Sequence, residues 1–260
     1  MGILDKFSLK DRIALVSGGA GPLFGSSITE ALAEAGATVV VASRSLERTE
    51  AFSAAMRNRG FSTHAEQLDV TEPTSVEALA ARVLDRYGRL DVLVNSAVVG
   101  RGGGFDEQTP DYWAASAQGN MVGLFAMCKA FVPAMVQQGS GSIINISSIY
   151  GVVANDPTLY EDTDMKQPPD YTFVKAGMIN FTRYLANYYG KNGVRANCVC
   201  PGGYFDHQPK PFVDRYTKRV PIGRMLENDD IKGAIVFLAS DASAYVTGAT
   251  LMVDGGWTAV

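Results

Sequence analysis

The sequence predicts an α/β protein: one Rossmann-type domain with a doubly wound parallel sheet of about seven strands and helices on both faces. Short apolar runs alternate along the chain with segments of helical periodicity. A glycine-rich loop, Gly18–Gly25, directly follows the first apolar run, as in dinucleotide-binding folds. No linker, repeat or low-complexity tract interrupts the alternation, so we expect residues 1–260 to form a single domain.

The composition argues against several classes of function. A net charge of −4 over 260 residues does not favour a nucleic-acid partner. The segment Met1–Lys10 has no signal-peptide core, and no apolar run approaches the ~20 residues of a membrane helix, so no membrane partner is expected. Three cysteines in apolar segments predict buried thiols and a cytoplasmic protein, and two histidines are too few to suggest a metal site.

The first strand, Ile13–Ser17, leads through the glycine loop into a helix that ends at Gly36. Loops of this kind bring backbone N–H groups and a helix N-terminus against a phosphate. A glycine-rich turn without a ligand is the alternative interpretation.

The second strand, Thr38–Ala42, ends in Ser43 and Arg44, where the adenosine ribose of a dinucleotide usually lies. An acidic residue would bind the 2′-hydroxyl of NAD, whereas an arginine can pair with the 2′-phosphate of NADP. The sequence therefore favours NADP(H), with NAD(H) as the alternative if Arg44 is simply solvated.

The remaining elements continue the alternation. Further strands are predicted near residues 62–68, 91–95, 142–146, 194–199 and 250–253, and further helices near 46–59, 73–88, from 110 through Asn120, around Tyr171 and near 229–240.

Three residues suggest proton-transfer chemistry. Ser148 lies just past the end of a buried strand, and Tyr171 and Lys175 are four apart on one helix face. A phenol titrates near ~10, and a neighbouring ammonium lowers that pKa, which suits general acid–base catalysis at neutral pH. In isolation, however, a tyrosine and a lysine at this spacing more often lie on a surface helix in which the tyrosine is half-buried.

Several short motifs supply the context. In chain order they are the glycine loop, Asp69-Val70, Asn95-Ser96-Ala97, Asn120, Ser148, Tyr171-x-x-x-Lys175, Pro201-Gly202-Gly203 and Asp254-Gly255-Gly256. Together they resemble the short-chain dehydrogenase/reductase family from Leu9 to the C-terminus, with a more modest resemblance to members that act in sugar modification or on sugar alcohols.

The resemblance implies roles for the matching residues. Tyr171 would be the general acid–base, and Lys175 would lower its pKa and bind the nicotinamide ribose. Ser148 would polarise the substrate carbonyl. It is chosen over Ser147 because the family's serine lies three residues before a glycine, which here is Gly151. Asn120 would hold a water in a proton relay.

The same resemblance implies a cofactor lining. It comprises Gly18, Gly19, Gly21, Leu23, Phe24, Gly25, Ser43, Arg44, Asp69, Val70, Asn95, Ser96, Ala97, Tyr171, Lys175, Pro201 and Gly202. For Asp69, a cap at the strand end is nearly as plausible as an adenine contact. The glycine loop departs from the family pattern, because it is one residue longer and has Pro22 and Leu23 where a glycine is expected. Pro22 has no N–H to donate.

A second departure is an insertion within residues 152–170. Its added stretch, Asn155–Met165, is acidic and contains one aromatic residue. Because long ordered loops are often functional, we interpret it as a wall or lid of the substrate pocket. A surface elaboration or an oligomer contact is the alternative.

The aromatic- and proline-rich segment 204–221 is the second expected substrate region. Its run Phe205–Pro209 is similar to one in reductases tied to bacterial sugar modification, which suggests a polyhydroxylated substrate. The candidate substrate contacts are Tyr160, Gly203 and Phe205.

The predicted function is hydride transfer between NADP(H) and a secondary alcohol or ketone on a sugar-like or polar substrate. A ketoacyl-type or aliphatic ketone reductase is the first alternative, with an apolar lining of Met165, Phe205, Phe212 and Trp257. A non-catalytic dinucleotide-binding sensor or scaffold is the second. The resemblance also implies a homo-oligomer, a tetramer or a dimer, formed through the long central helices.

Overall fold

The structure is a computed structural model that describes residues 2–100 and 102–259, so Met1, Arg101 and Val260 of the predicted domain lie outside the described residues. Within these residues, seven parallel strands form one sheet in the order β3-β2-β1-β4-β5-β6-β7, which confirms the predicted Rossmann-type fold. The strands are β1 Ile13–Ser17, β2 Thr38–Ser43, β3 Thr63–Gln67, β4 Val92–Asn95, β5 Gly141–Ile146, β6 Val194–Pro201 and β7 Thr250–Val253. The strand order reverses between β1 and β4, and ligands of such sheets bind beyond the strands' carboxyl ends at this point.

Eight α-helices in the described part of the chain connect and cover these strands. They are α1 Phe24–Glu34, α2 Leu46–Asn58, α3 Pro73–Tyr87, α4 Pro110–Ala117, α5 Gly123–Gln137, α6 Pro169–Tyr189, α7 Lys210–Arg219 and α8 Lys232–Ala239. A π-helical turn, Gln118–Val122, joins α4 to α5, so the long helix expected through Asn120 is continuous. The helix α7 lies inside the segment 204–221, where the sequence pattern had indicated no helix, and it has Pro211 in its first turn.

Both faces of the sheet are covered by helices, which explains why the central strands β1, β2 and β4 are mainly apolar. Successive side chains of a strand point to opposite faces. In β1, Leu15 packs into the cluster that contains Phe131 of α5, whereas Ala14 and Val16 pack into the cluster that contains Ile28 of α1. Because neither face meets water, the strand is apolar from Ile13 to Val16, and only its last residue, Ser17, is polar.

The helical stretch Pro110–Gln137 is long and apolar enough to cross a membrane by length and composition alone, with a mean hydropathy of 1.4 over its most apolar window. The sequence analysis had expected no apolar run of this length. Half of that window is buried inside the protein, as in the core helix of a soluble protein, so the feature is weak evidence for a membrane span.

Candidate active site

The start of α6 is anchored on the side of the sheet where β5 ends. Pro169 occupies the first helical turn, and the buried carboxylate of Asp170 accepts hydrogen bonds from Gln108 Nε2 at 2.7 Å and Ser116 Oγ at 2.5 Å. These bonds tie the first turn of α6 to α4 and to Gln108, two residues before α4. They therefore set the position of Tyr171, the next residue in the chain.

Lys175 lies one turn further along α6 and is only 5% exposed. Its Nζ donates to the carbonyl oxygen of Ile146, the last residue of β5, at 2.7 Å. The same nitrogen lies 5.4 Å from the centroid of the Tyr171 ring. Burial lowers the pKa of Lys175 to about 8, because the buried ammonium loses its hydration.

Tyr171 and Ser148 are hydrogen-bonded through their side chains. Burial raises the pKa of the Tyr171 phenol, and the bond with Ser148 acts in the opposite direction. The sequence argument expected Lys175 to lower this pKa. In the structure the loss of hydration of a buried phenolate is the largest effect, so the direction is reversed.

The two neighbouring serines have different partners. Ser147 Oγ donates to the backbone oxygen of Lys175 at 2.9 Å, so this hydroxyl holds α6 against the end of β5. Ser148 Oγ accepts from the N–H of Tyr150 at 3.2 Å and also meets Tyr171. Ser148 is thus the serine whose hydroxyl faces the phenol.

A cavity of about 330 Å³ extends from Tyr171 and Lys175 to the end of β2. It lies at the reversal of the strand order, where the fold predicts a ligand. The expected cofactor residues that line it are Gly18, Gly21, Leu23, Phe24, Gly25, Ser43, Arg44, Val70, Ser96, Ala97, Tyr171 and Lys175.

The glycine loop forms the middle of this cavity. Gly18 has a φ of +70°, in the left-handed region that favours glycine. A Cβ on Gly25 would lie 2.0 Å from the carbonyl oxygen of Gly18, so the start of α1 can approach the loop only with a glycine there. Leu23 at the start of α1 provides no side-chain cap; the N–H of Ser26 donates to the carbonyl oxygen of Gly21 at 3.0 Å, and Phe24 and Gly25 in the first turn line the cavity. A helix N-terminus of this kind fits an anionic pyrophosphate.

Two exposed arginines, Arg44 and Arg48, line the end of the cavity beside Ser43. Neither guanidinium forms an ion pair with a carboxylate in the part of the chain that the structure describes. Ser43 Oγ instead forms hydrogen bonds with Thr49 and with the carbonyl oxygen of Ser45. This end of the cavity therefore offers positive charge to a phosphate and no carboxylate to a bare ribose.

Two expected cofactor residues use their side chains elsewhere. The carboxylate of Asp69 accepts from the N–H of Thr71 at 2.9 Å and from its hydroxyl at 2.7 Å, which is the structural role considered for it. Asn95 is buried, and its Nδ2 donates to Asn145 Oδ1 at 2.8 Å. This bond joins β4 to β5 below the cavity floor.

Three more expected residues also lie outside the cavity lining. Gly19 packs between α1 and the sheet, where its carbonyl oxygen accepts from Thr29 Oγ1 at 2.8 Å. Pro201 ends β6, and the N–H of Gly202 donates to Val253. Gly202 lines a second cavity of about 380 Å³ together with Gly203, one of the candidate substrate contacts.

Asn120 lies in the π-helical turn between α4 and α5, a distortion that is frequent at functional sites. Its Oδ1 accepts from the N–H of Val99 at 2.9 Å, and its Nδ2 donates to the oxygen of Val99 at 2.5 Å and to Ser116 Oγ at 3.1 Å. The side chain thus holds the loop after β4, which contributes Ser96–Val99 to the cavity.

The remaining candidate substrate contacts occupy different surroundings. Tyr160 packs, together with Tyr171, against an aromatic cluster beside the site. Phe205 is exposed, and its ring lies edge-on to His207 at 5.3 Å.

Sequence reasoning missed several residues of the cavity. They are Ala20, Pro22, Arg48, Leu68, Val98, Val99, Ile146 and Ser147. Arg48 could have been found, because it follows Arg44 at the spacing of one helical turn; the apolar members carry no such signal.

A family model described as Enoyl-(Acyl carrier protein) reductase matches residues 23–258. The D-threitol dehydrogenase of Mycolicibacterium smegmatis is 34% identical over 262 residues, which cover 97% of this chain and 95% of that protein. The 3-oxoacyl-(acyl-carrier-protein) reductase of Thermotoga maritima is 30% identical over 252 residues, which cover 95% of this chain and 98% of that protein. A solved gluconate 5-dehydrogenase from Burkholderia cenocepacia J2315, in complex with NADP and tartrate, superposes with a TM-score of 0.91 at 32% identity, with 100% of both chains covered.

Proposed function

Because this chain belongs to the short-chain dehydrogenase/reductase family of NAD(P)-dependent oxidoreductases, we propose that it transfers a hydride between NADP(H) and a secondary alcohol or ketone on a small, polyhydroxylated substrate. One observation carries the proposal. Tyr171, hydrogen-bonded to Ser148, lies with Lys175 at one end of a cavity whose other end is lined by two arginines that form no ion pair among the described residues.

The proton chemistry belongs to Tyr171. In the oxidative direction, the hydroxyl of Ser148 donates a hydrogen bond to the oxygen of the substrate, and the phenolate form of Tyr171 accepts the proton of the substrate hydroxyl. In the reductive direction the phenol returns that proton to the carbonyl oxygen. The ammonium of Lys175 stabilises the phenolate, and with a pKa of about 8 it is mostly charged at neutral pH. The bound nicotinamide would supply the chemistry of hydride transfer.

The residues present fit a dinucleotide. The N-terminus of α1 and the glycine loop would hold the pyrophosphate, and Arg44 and Arg48 would hold a 2′-phosphate. A preference for NADP(H) over NAD(H) is part of the proposal, and the missing carboxylate at Ser43 supports it.

A polar, hydroxylated substrate is supported by two relatives. One is named for its action on D-threitol, a polyol, and the solved neighbour is a gluconate dehydrogenase that binds tartrate. D-threitol and gluconate both carry several hydroxyl groups on a short carbon chain.

A ketoacyl-type or aliphatic ketone reductase is the second candidate. Met165, Phe212 and Trp257 belong to the aromatic cluster that Tyr171 contacts, and this cluster could line an apolar pocket. The relative from Thermotoga maritima is named for a 3-oxoacyl substrate. Phe205, the fourth apolar residue considered, is not part of that cluster in the described structure.

We also propose a cytoplasmic homo-oligomer, a tetramer or a dimer, with α5 and α6 at the interface between copies. Phe125 and Phe173 are more than half exposed and line an apolar groove of about 290 Å³ between the two helices. Exposed aromatic residues of this kind are typical of an interface. Light scattering on the wild-type protein and on Phe125→Asp tests it, since a charge in a symmetric contact should release monomers.

The function is tested with a substrate panel and both cofactors. D-threitol and gluconate are compared with 2-butanol in the oxidative direction, and aliphatic ketones are tested in the reductive direction. Turnover of the polyols with NADP⁺ supports the proposal. Turnover restricted to aliphatic ketones supports the second candidate. If the protein binds NADPH but turns over none of these compounds, the non-catalytic sensor or scaffold becomes the better interpretation.

A further inference from the structure

Residues 152–168, which contain the added stretch Asn155–Met165 of the insertion, are tied to α7, and we call them the bridge segment. Asp156 forms an ion pair with Arg219 of α7. One turn earlier on α7, Arg215 pairs with Asp162 at 2.5 Å and donates to the carbonyl oxygen of Glu161. Two arginines on one helix thus hold two points of the bridge segment.

The other end of the bridge segment is tied to the opposite side of the cleft. Lys166 forms an ion pair with Glu107, which precedes α4. Immediately after the bridge segment, Asp170 bonds to Gln108 and Ser116. The bridge segment therefore extends from α7 to the loop before α4, and between these anchors it passes beside Tyr171.

Two side chains of the bridge segment, Tyr160 and Gln167, form a row of three polar groups with Tyr150, which precedes the segment. The hydroxyls of Tyr150 and Tyr160 are 3.0 Å apart, and Tyr160 Oη lies 3.4 Å from Gln167 Oε1. The surroundings are otherwise apolar, because Leu159, Phe212 and Trp257 complete the same cluster. Tyr171 packs against the same cluster, so the row of polar groups lies beside the catalytic phenol.

The row keeps spare hydrogen-bonding capacity. Burial raises the pKa of both Tyr150 and Tyr160, so both phenols remain protonated donors at neutral pH. Either hydroxyl can be the donor in the bond between Tyr150 and Tyr160. When Tyr160 donates, the O–H of Tyr150 stays free to donate and a lone pair on the oxygen of Tyr160, 3.0 Å away, stays free to accept. The Gln167 amide has a second polar atom with no hydrogen-bond partner among the described residues. One donor and one acceptor side by side match the needs of an alcohol group.

We propose that Tyr150 and Tyr160 are specificity-determining residues, which bind a hydroxyl group of the substrate other than the one that reacts, and that the bridge segment holds them in place. The inference rests on the proposed function, because it names the contact by which the same site would recognise a polyol. It adds a second binding point to the Ser148–Tyr171 pair. A substrate with only one hydroxyl cannot use that point.

The experiment compares D-threitol with 2-butanol, which has the same number of carbons and a single hydroxyl. Tyr160→Phe removes one hydroxyl and keeps the ring, whose centroid lies 5.3 Å from that of Phe212. We expect kcat/KM for D-threitol to fall about tenfold and kcat/KM for 2-butanol to change less than about twofold. Tyr150→Phe should behave in the same way. Tyr245→Phe, at a fully exposed tyrosine, is the matched control and should change neither value.

An equal loss for both alcohols in Tyr160→Phe, or no loss for D-threitol, would overturn the inference. If the proposed function is wrong, the wild-type protein turns over neither alcohol with either cofactor, which distinguishes that outcome from failure of the inference. The inference is then tested by binding: D-threitol should raise the Tm of the NADP⁺-loaded wild-type protein and raise it less in Tyr160→Phe. Equal shifts in the two proteins, or none in the wild type, contradict the inference.

Discussion

The two sides of the cleft are built in different ways. On the cofactor side, the glycine loop and the first turn of α1 line the cavity, and Arg44 and Arg48 add positive charge that no carboxylate in residues 2–100 and 102–259 pairs with. On the substrate side, aromatic rings and ion pairs join the bridge segment to α7. The cofactor side is therefore preorganised by local backbone conformation, whereas the substrate side depends on contacts between residues some 50 positions apart, such as Arg215 and Asp162.

The largest expected effect lies where the two sides meet. Tyr171→Phe removes the phenol that exchanges the proton, so kcat should fall by about 10²- to 10⁴-fold. The ring remains, so the affinity for NADPH, measured by fluorescence titration, should change little. Undiminished turnover would remove Tyr171 from the mechanism, and a parallel loss of NADPH binding would mean that the substitution damages the cofactor side.

The next largest expected effect is the pH dependence of stability that Lys175 causes, where the cofactor and substrate sides meet. Burial lowers its pKa to about 8 from the usual 10.5, so between these values the unfolded chain binds more protons than the folded protein. The contribution of Lys175 to the free energy of unfolding should therefore rise with pH from about 8 to about 10, by up to about 3 kcal/mol.

Urea unfolding of the cofactor-free protein across this pH range measures that rise. Lys175→Met should remove it, and the control Lys191→Met, at an exposed lysine, should keep it. Above pH 10 the raised pKa values of buried tyrosines such as Tyr160 act in the opposite direction, because the folded state then binds the extra protons. Identical pH profiles for the wild type and Lys175→Met would contradict the prediction.

Removal of the charges of Arg44 and Arg48 tests how the cofactor side binds a 2′-phosphate. Removing Arg44 and Arg48 together as alanines should weaken NADPH binding by about ten- to a hundredfold, because charge-assisted bonds to the 2′-phosphate are lost. NADH lacks that phosphate and is the built-in control, so its affinity should stay within about twofold. Equal losses for both nucleotides would indicate damage to the loop rather than loss of phosphate contacts.

The smallest expected effect on stability is on the substrate side. Arg215→Gln breaks a partly exposed ion pair, so the free energy of unfolding should change by no more than about 1 kcal/mol. The bridge segment loses one anchor, however, so amide hydrogen exchange at residues 157–162 should become faster. Lys210→Gln breaks an exposed ion pair with Asp214 on the same helix and should leave that exchange unchanged. Equal exchange rates in the two variants would mean that Arg215 does not hold the bridge segment.

The sequence was sufficient to predict the doubly wound parallel sheet and the positions of all seven strands. It was also sufficient to predict that Ser148, Tyr171 and Lys175 lie together. These features depend on patterns that repeat over a few residues: apolar periodicity, a glycine loop, and a four-residue spacing on one helix. Such local patterns do not depend on how distant parts of the chain fold. The choice of Ser148 over Ser147 came from the family resemblance, and the structure shows the physical difference, since Ser147 is bonded to the backbone of Lys175.

Only the tertiary structure decided where side chains at strand ends point and which distant segments touch. Asp69 and Asn95 stand at expected cofactor positions in the sequence, yet one caps a turn and the other bonds to Asn145 in the core. The bridge segment reads as an acidic loop, and its anchors on α7 become visible only once both segments are folded. Hydrogen bonds and ion pairs of this kind are set by three-dimensional proximity, for which local sequence carries no signal, whereas backbone periodicity is written in neighbouring residues.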